Sequence, residues 1–266
     1  MKDMNDKASA PGDPPTRPVL SVRGLDVRLH GRDGSATDVE QASFDLHAGE
    51  VLGLVGESGC GKSKTAEAIM GLLPRERGSS QARSIRLDGM ELANISEARM
   101  RRIRGREISM VFQEPQTALD PVFTAGSQVQ AVLRRHRGQG RKQSRQAALE
   151  LLNRMGIAGP ERVMRSYPHQ LSGGMRQRIV IAMAMACKPK VLIADEPTTA
   201  LDVTTQAQVL EELVQLGLES QTAILLITHD LGIVAQYCDR ALVMRQGRIL
   251  EDTPVQALVE APQRDY

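Results

Sequence analysis

An α/β domain with a mixed core sheet, an antiparallel N-terminal portion and an inserted helical lobe is what this sequence predicts. Three observations carry the prediction. The segment Gly56-Glu57-Ser58-Gly59-Cys60-Gly61-Lys62-Ser63 fits the phosphate-binding pattern GxxxxGK[ST], preceded by an apolar run and followed by a helical one. Short apolar runs at 110–112, 191–194 and 223–228 each end in polar residues, as buried strands of an α/β sheet do. Between 123 and 167 no strand-like run interrupts a helical pattern.

Residues 1–18 are charged and rich in Pro, Gly, Ala and Asp, without the apolar centre of a signal peptide, and read as a disordered leader. From Val19 to Leu46 the apolar residues alternate (Val22, Leu25, Val27, Leu29, then Phe44 and Leu46) around the polar turn at 30–35, which predicts antiparallel strands. Val51-Leu52-Gly53-Leu54-Val55 then reads as a buried strand and 65–73 as a helix. Strand, glycine loop and helix is the order that lets backbone N–H groups curl around phosphates at a helix N-terminus. Lys62 would reach the β- and γ-phosphates as a point charge, and the Ser63 hydroxyl would join the coordination of Mg²⁺.

Further along, 84–90 reads as a short strand with a turn, and Met110-Val111-Phe112 as a strand that delivers Gln113 to its end. In the helical lobe, Ala147, Leu149, Leu151, Leu152 and Met155 form an amphipathic pattern that Gly156 and Gly159-Pro160 terminate. The chain returns through Leu171-Ser172-Gly173-Gly174 to a helix over 177–186. The strand 191–194 ends in Asp195-Glu196-Pro197. A carboxylate there is suited to a Mg²⁺ shell, and the next residue, facing the other way, is suited to polarise an attacking water as general base. A helix over 205–218 leads to the strand 223–228, which ends at His229. Gln113, Asp195, Glu196 and His229 thus arrive at one sheet edge beside the phosphate loop, where α/β sheets place their chemistry. A hairpin over 241–251 and one short helix complete the domain, which spans 19–260 with the helical lobe at about 123–175 and a tail at 261–266.

Composition narrows the classes. With 34 Lys+Arg against 32 Asp+Glu the net charge is +2, which gives no support to nucleic-acid binding. The basic clusters at 99–106 and 134–145 read as a solvated helix face and a loop in preference to a phosphate or membrane patch. Three widely spaced cysteines, Cys60, Cys187 and Cys238, indicate a reducing compartment, and Cys60 is read as a small filler of the loop, not a nucleophile. The longest apolar run, 179–187, is far short of the roughly twenty residues that span a bilayer.

Gln113, Leu171-Ser172-Gly173-Gly174, Asp195-Glu196, Leu201-Asp202 and His229 occur in the order seen in ABC-type ATP-binding cassettes, which the chain resembles over about 19–260. The runs Tyr167-Pro168-His169-Gln170-Leu171-Ser172-Gly173-Gly174-Met175-Arg176-Gln177-Arg178 and Phe112-Gln113-Glu114-Pro115-Gln116-Thr117-Ala118-Leu119-Asp120-Pro121 are similar to those of bacterial dipeptide, oligopeptide and nickel importer ATPases. The resemblance implies a P-loop NTPase fold and an ATPase with ATP and Mg²⁺ as cofactors. It implies nucleotide binding by Gly56, Glu57, Ser58, Gly59, Cys60, Gly61, Lys62, Ser63 and Lys64, and metal binding by Ser63, Gln113 and Asp195. Gln113 would also sense the γ-phosphate, His229 would fasten it and Glu196 would activate water. Ser172, Gly173 and Gly174, with Gln177 and the interface residue Asp202, would serve a nucleotide held by a second cassette.

The implied partners are two membrane permease subunits, a second ATPase of the same kind and, indirectly, an external solute-binding protein, at the cytoplasmic face of a bacterial membrane. The segment 114–123 would pass the motion to the membrane partner. Two departures stand out. Around Leu29-His30 the chain offers His30 or an aliphatic contact where the family commonly stacks adenine on an aromatic ring. It also ends at Tyr266, where longer peptide-importer subunits continue, which leans slightly towards the nickel-type members without choosing between nickel and peptide. A non-transport ABC ATPase, accessory to an enzyme complex such as phosphonate processing, is the alternative.

Overall fold

The computed structural model describes residues 17–31, 34–73, 78–113, 118–199 and 201–260, with the side chains at 30–37 and 259–260 outside that description. The expected leader and tail therefore lie almost wholly outside the described residues.

Two sheets form the frame. Strands β1 (Leu20–Gly31) and β2 (Gly34–Leu46) pair antiparallel, and β4 (Gly78–Gln81), β5 (Ser84–Leu87) and β6 (Met90–Glu91) complete a sheet of order β2-β1-β5-β6, with β4 also on β1. The strand expected over 84–90 is thus two strands. Asp88 and Gly89, at φ 47° and 79°, turn the chain between them.

The central sheet has the order β11-β10-β3-β9-β8-β7, built from β3 (Val51–Val55), β7 (Ile108–Val111), β8 (Val191–Asp195), β9 (Ala223–Thr228), β10 (Arg240–Arg245) and β11 (Arg248–Pro254). All neighbours from β10 to β7 are parallel, and only β11 runs against its partner. Every residue of β3, β8 and β9 is buried, as continuous apolar strands covered on both faces must be.

Alternation divides these strands between two cores. Leu52, Leu54, Ile193, Leu225 and Ile227 face the antiparallel sheet and α1 (Lys62–Ile69), where they meet Phe44, Ala66 and Ile69. Val51, Leu192, Ala194, Ile224 and Leu226 face a helical layer of α3 (Ala125–Arg137), α4 (Arg141–Arg154), α5 (Pro160–Val163), α6 (Gly173–Met185) and α7 (Val203–Ser220). The connection from β7 to its sheet neighbour β8 carries α3 to α6. Two short helices, α8 (Leu231–Tyr237) and α9 (Val255–Glu260), form a smaller apolar cluster with β3 and β10 through Val234, Val255 and Leu258, and α2 (Glu97–Ile103) joins the core of α1 through Met100 and Ile103.

Helix starts differ from the sequence expectation for one physical reason. Each begins where a side chain or glycine can end the preceding loop, and apolar periodicity does not register that point. Helix α6 starts at Gly173 and not at 177, because the Ser172 hydroxyl accepts the Met175 N–H at 3.2 Å. Helix α7 starts at Val203, because the Asp202 carboxylate accepts the Thr205 N–H at 2.9 Å. Helix α1 starts at Lys62, directly after Gly61.

Candidate nucleotide site

The loop from β3 to α1 is shaped by glycines acting in two ways. Gly61 sits at φ 109°, and a Cβ there would come within 2.3 Å of the Asp38 carbonyl oxygen, so β2 can pass the helix start only above a glycine. Gly59, at φ 80°, would meet nothing within 4 Å, so the loop is open on that side. Glu57, Ser58 and Gly59 form its exposed rim, whereas Cys60 and Lys62 are buried. Lys62 Nζ turns back to donate to the carbonyls of Gly56 (2.7 Å) and Glu57 (2.9 Å). A buried ammonium beside an N-terminal helical turn favours an anion in that hollow. Cys60 Sγ lies 3.8 Å from the same amine, and Lys64 pairs with Glu67 at 2.8 Å.

Parallel pairing of β3, β9, β8 and β7 brings the other predicted residues to the same sheet edge. Asp195 ends β8 at 4% exposure. Burial pushes its carboxyl pKa up, the Ser63 hydroxyl bonded to it and the Lys62 charge pull the other way, and Glu196 and Glu67 push it up again. Its Oδ1 is buried without a hydrogen-bond partner. An orphaned carboxylate oxygen beside a hydroxyl fits a divalent cation with hard oxygen ligands. Among the described residues no group of three or more His, Cys, Asp or Glu side chains could hold a metal, so the rest of such a shell would come from phosphate and water.

Glu196 is the hub of the edge. Its backbone is left-handed, φ 44°, and its N–H donates to the Ile227 carbonyl of β9 at 3.0 Å. Its Oε2 accepts from Gln113 Nε2 at 2.9 Å and from Thr199 Oγ1 at 2.9 Å, and its Oε1 lies 3.1 Å from His229 Nδ1. Burial raises the Glu196 pKa, but hydrogen bonds from His229 and Thr199 and the charges of His229 and Lys62 outweigh it and hold the carboxyl below its usual range. Thr199 was absent from the residues read as functional. The signal available for it was local, a hydroxyl three residues after Glu196 in a Pro-containing turn.

The Leu-Ser-Gly-Gly segment lies elsewhere. Ser172 caps α6, a Cβ on Gly173 would meet Leu201 at 3.6 Å and one on Gly174 would meet Thr205 at 2.7 Å, so this helix start abuts the exposed Asp202 turn that opens α7. Gln177 is fully buried with both amide atoms unpartnered, and its side chain offers no exposed surface to a ligand. Helices α1 and α6 pack in the two different cores, on opposite faces of the central sheet. The helices that follow the phosphate loop and the Leu-Ser-Gly-Gly segment are therefore separated by the sheet.

A cleft of about 280 Å³, lined by Val55, Gly56, Glu57, His229, Leu231 and Met244 among others, opens beside the loop. A larger one of about 400 Å³ lies between α1, α2 and the antiparallel sheet, away from these strand ends. The side chain of His30, the expected contact for a base, lies outside the described residues.

Residues 39–199 match the family described as ABC transporter. The chain belongs to that family. Its ATP-binding cassette is 48% identical over 251 residues to a peptidoglycan transport ATP-binding protein of Agrobacterium fabrum, covering 94% of this chain and 46% of that one. It is 47% identical over 248 residues to the dipeptide transport ATP-binding protein DppD of Bacillus subtilis, covering 93% and 74%. The chain thus spans about half the length of the first relative and about three quarters of the second.

Among solved structures, the dimeric post-hydrolysis state of the cassette MJ0796 bound to ADP and Pi superposes with a TM-score of 0.78 at 26% identity, covering 89% of this chain and 98% of that one. CbiO1 from Clostridium perfringens, part of the ABC transporter complex cbiONQ, gives 0.73 at 26% identity, covering 92% and 96%. The ABC ATPase class and the mixed α/β cassette expected from the sequence both stand. Among the described residues no helix is long and apolar enough to cross a membrane.

Proposed function

We propose that this cassette is the ATP-hydrolysing subunit of an importer whose cargo is peptide, and that it works at the cytoplasmic face of the membrane with two permease subunits, a second cassette and, indirectly, an external solute-binding protein. The observation that carries the reading is the hub at Glu196, bonded to Gln113 and His229 beside a buried Lys62. The peptide assignment rests on what the relatives are named for. Nickel, the other cargo the sequence suggested, has no such support among the relatives cited, and uptake of labelled peptide against labelled nickel separates the two.

In this mechanism the loop 56–63 cradles the phosphates and Lys62 compensates their charge. Ser63 and Asp195, with Gln113, would hold Mg²⁺, which when bound neutralises charge on the phosphate oxygens. Glu196 takes the proton of the attacking water, and His229 holds the γ-phosphate. The opposite placement of α1 and α6 supports a composite site, in which Ser172, Gly173 and Gly174 of one cassette, positioned beside Asp202, meet the nucleotide of the other. The dimeric form of the MJ0796 cassette agrees with it. ATP then joins two cassettes and hydrolysis releases them.

Phe112, directly after β7, and Val122 and Phe123, before α3, are 47%, 69% and 56% exposed, and exposed apolar side chains of this kind suit a permease contact. Residues 114–117 of the expected coupling segment lie outside the described residues. An affinity pull-down of tagged Glu196→Gln chain from detergent-solubilised native membranes with ATP, read by mass spectrometry, tests the proposal. Two multi-span membrane proteins are expected. Retention of soluble enzymes alone would replace it with the accessory-ATPase alternative.

A further inference from the structure

The turn after β8 returns a hydroxyl to the residue that opens it. In Glu196-Pro197-Thr198-Thr199 the Thr199 N–H donates to the Glu196 carbonyl at 3.4 Å, and Pro197 occupies the second turn position, where its fixed φ is favoured. That closure sets Thr199 Oγ1 2.9 Å from Glu196 Oε2 and 3.3 Å from Glu196 O. A threonine hydroxyl has one proton to give, and the carboxylate is both the nearer and the stronger acceptor.

The other two partners of the carboxylate stand differently. Gln113 comes from β7 and His229 from β9, and both are assigned above to the nucleotide. Once they turn to the γ-phosphate, Thr199 is the one of the three whose contact is local to the turn and independent of ligand. We infer that Thr199 is a positioning residue for hydrolysis: its hydroxyl holds the Glu196 carboxylate in place to receive the proton of the attacking water after Gln113 and His229 have left it. In that step the water oxygen bonds to the γ-phosphorus, the bridging O–P bond breaks with its electron pair remaining on ADP, and the water proton passes to Glu196. The inference rests on the reading of Glu196 as general base.

Single-turnover hydrolysis by Thr199→Val and Thr199→Ser, with ATP affinity measured alongside, tests it. Thr199 is exposed, so neither change threatens the core. The valine variant is expected to slow the step roughly tenfold, the scale of one hydrogen bond to a charged group, with ATP affinity unchanged. Serine, which keeps the hydroxyl, should restore the rate. A valine variant at the parent rate, or one whose slower step is matched by an equal loss of ATP affinity, overturns the inference, and so does a serine variant as impaired as the valine one. Failure of the underlying reading looks different: Glu196→Gln would then turn over ATP at the parent rate.

Discussion

Gln113 and Glu196 meet side chain to side chain at 2.9 Å although they lie 83 positions apart, because β7 and β8 are parallel neighbours and deliver their ends together. The bond makes the strand after which the helical lobe begins and the strand to which it returns share one polar contact.

Replacing that base by its amide separates binding from chemistry. Glu196→Gln should bind ATP with affinity near the parent's and lose on the order of 10² to 10⁴ in hydrolysis rate, the range for a missing general base. Phosphate release and equilibrium ATP binding on the same sample measure the two. Turnover at the parent rate would remove Glu196 from its role.

Its buried neighbour Asp195 predicts an opposition between stability and activity. Folding raises the Asp195 pKa through burial, so the folded chain holds that proton more tightly than the unfolded chain. The contribution is fully present below the ordinary carboxylate range and is lost as pH rises through it and through the folded value. Asp195→Asn should therefore melt above the parent at neutral pH without nucleotide, with the gain shrinking as pH is lowered, while hydrolysis is lost. Thermal melts across that range check it, and a variant less stable at neutral pH would contradict it.

The two loop glycines should fail differently. Gly61→Ala places a methyl group 2.3 Å from the Asp38 carbonyl and should destabilise the fold by roughly 2 kcal/mol or more. Gly59→Ala meets no atom and should cost only about 1 kcal/mol for its left-handed backbone, with its methyl group directed into the open side of the loop. Denaturant titration of both, with ATP binding, distinguishes the outcomes.

Between α6 and α7, Arg178 pairs with Glu212 and donates to the Met155 carbonyl at 2.7 Å, with side-chain exposures of 11% and 23% for the ion pair. Burial raises the Glu212 pKa in spite of that guanidinium. Arg178→Ala should cost roughly 2–4 kcal/mol by leaving a half-buried carboxylate and a carbonyl unpartnered, whereas Arg178→Met with Glu212→Leu should cost less than Arg178→Ala alone. A double-mutant cycle by chemical denaturation reads the coupling.

On the surface, Phe123→Asp should leave soluble ATP hydrolysis intact and abolish retention of membrane proteins in the pull-down, since Phe123 is exposed and makes no part of the phosphate site. Unchanged retention would place the permease contact elsewhere.

The sequence by itself determined what depends on neighbours in the chain. The glycine pattern of 56–63, the apolar runs of β3, β8 and β9, and the polar residues at their ends follow from local spacing and periodicity, so the phosphate loop and the residues near it were legible without coordinates. Helix starts were less so, since a cap is one hydrogen bond that periodicity does not register, as at Ser172 and Asp202. Tertiary structure alone decided the strand order β3-β9-β8-β7, because pairing depends on which strands lie side by side and not on how far apart they are in sequence. From that order came the convergence of Gln113 and His229 on the Glu196 carboxylate, and tertiary packing also left one Asp195 oxygen orphaned and buried Gln177. It also placed α1 and α6 on opposite faces, because the alternation along each central strand sends successive side chains into different cores.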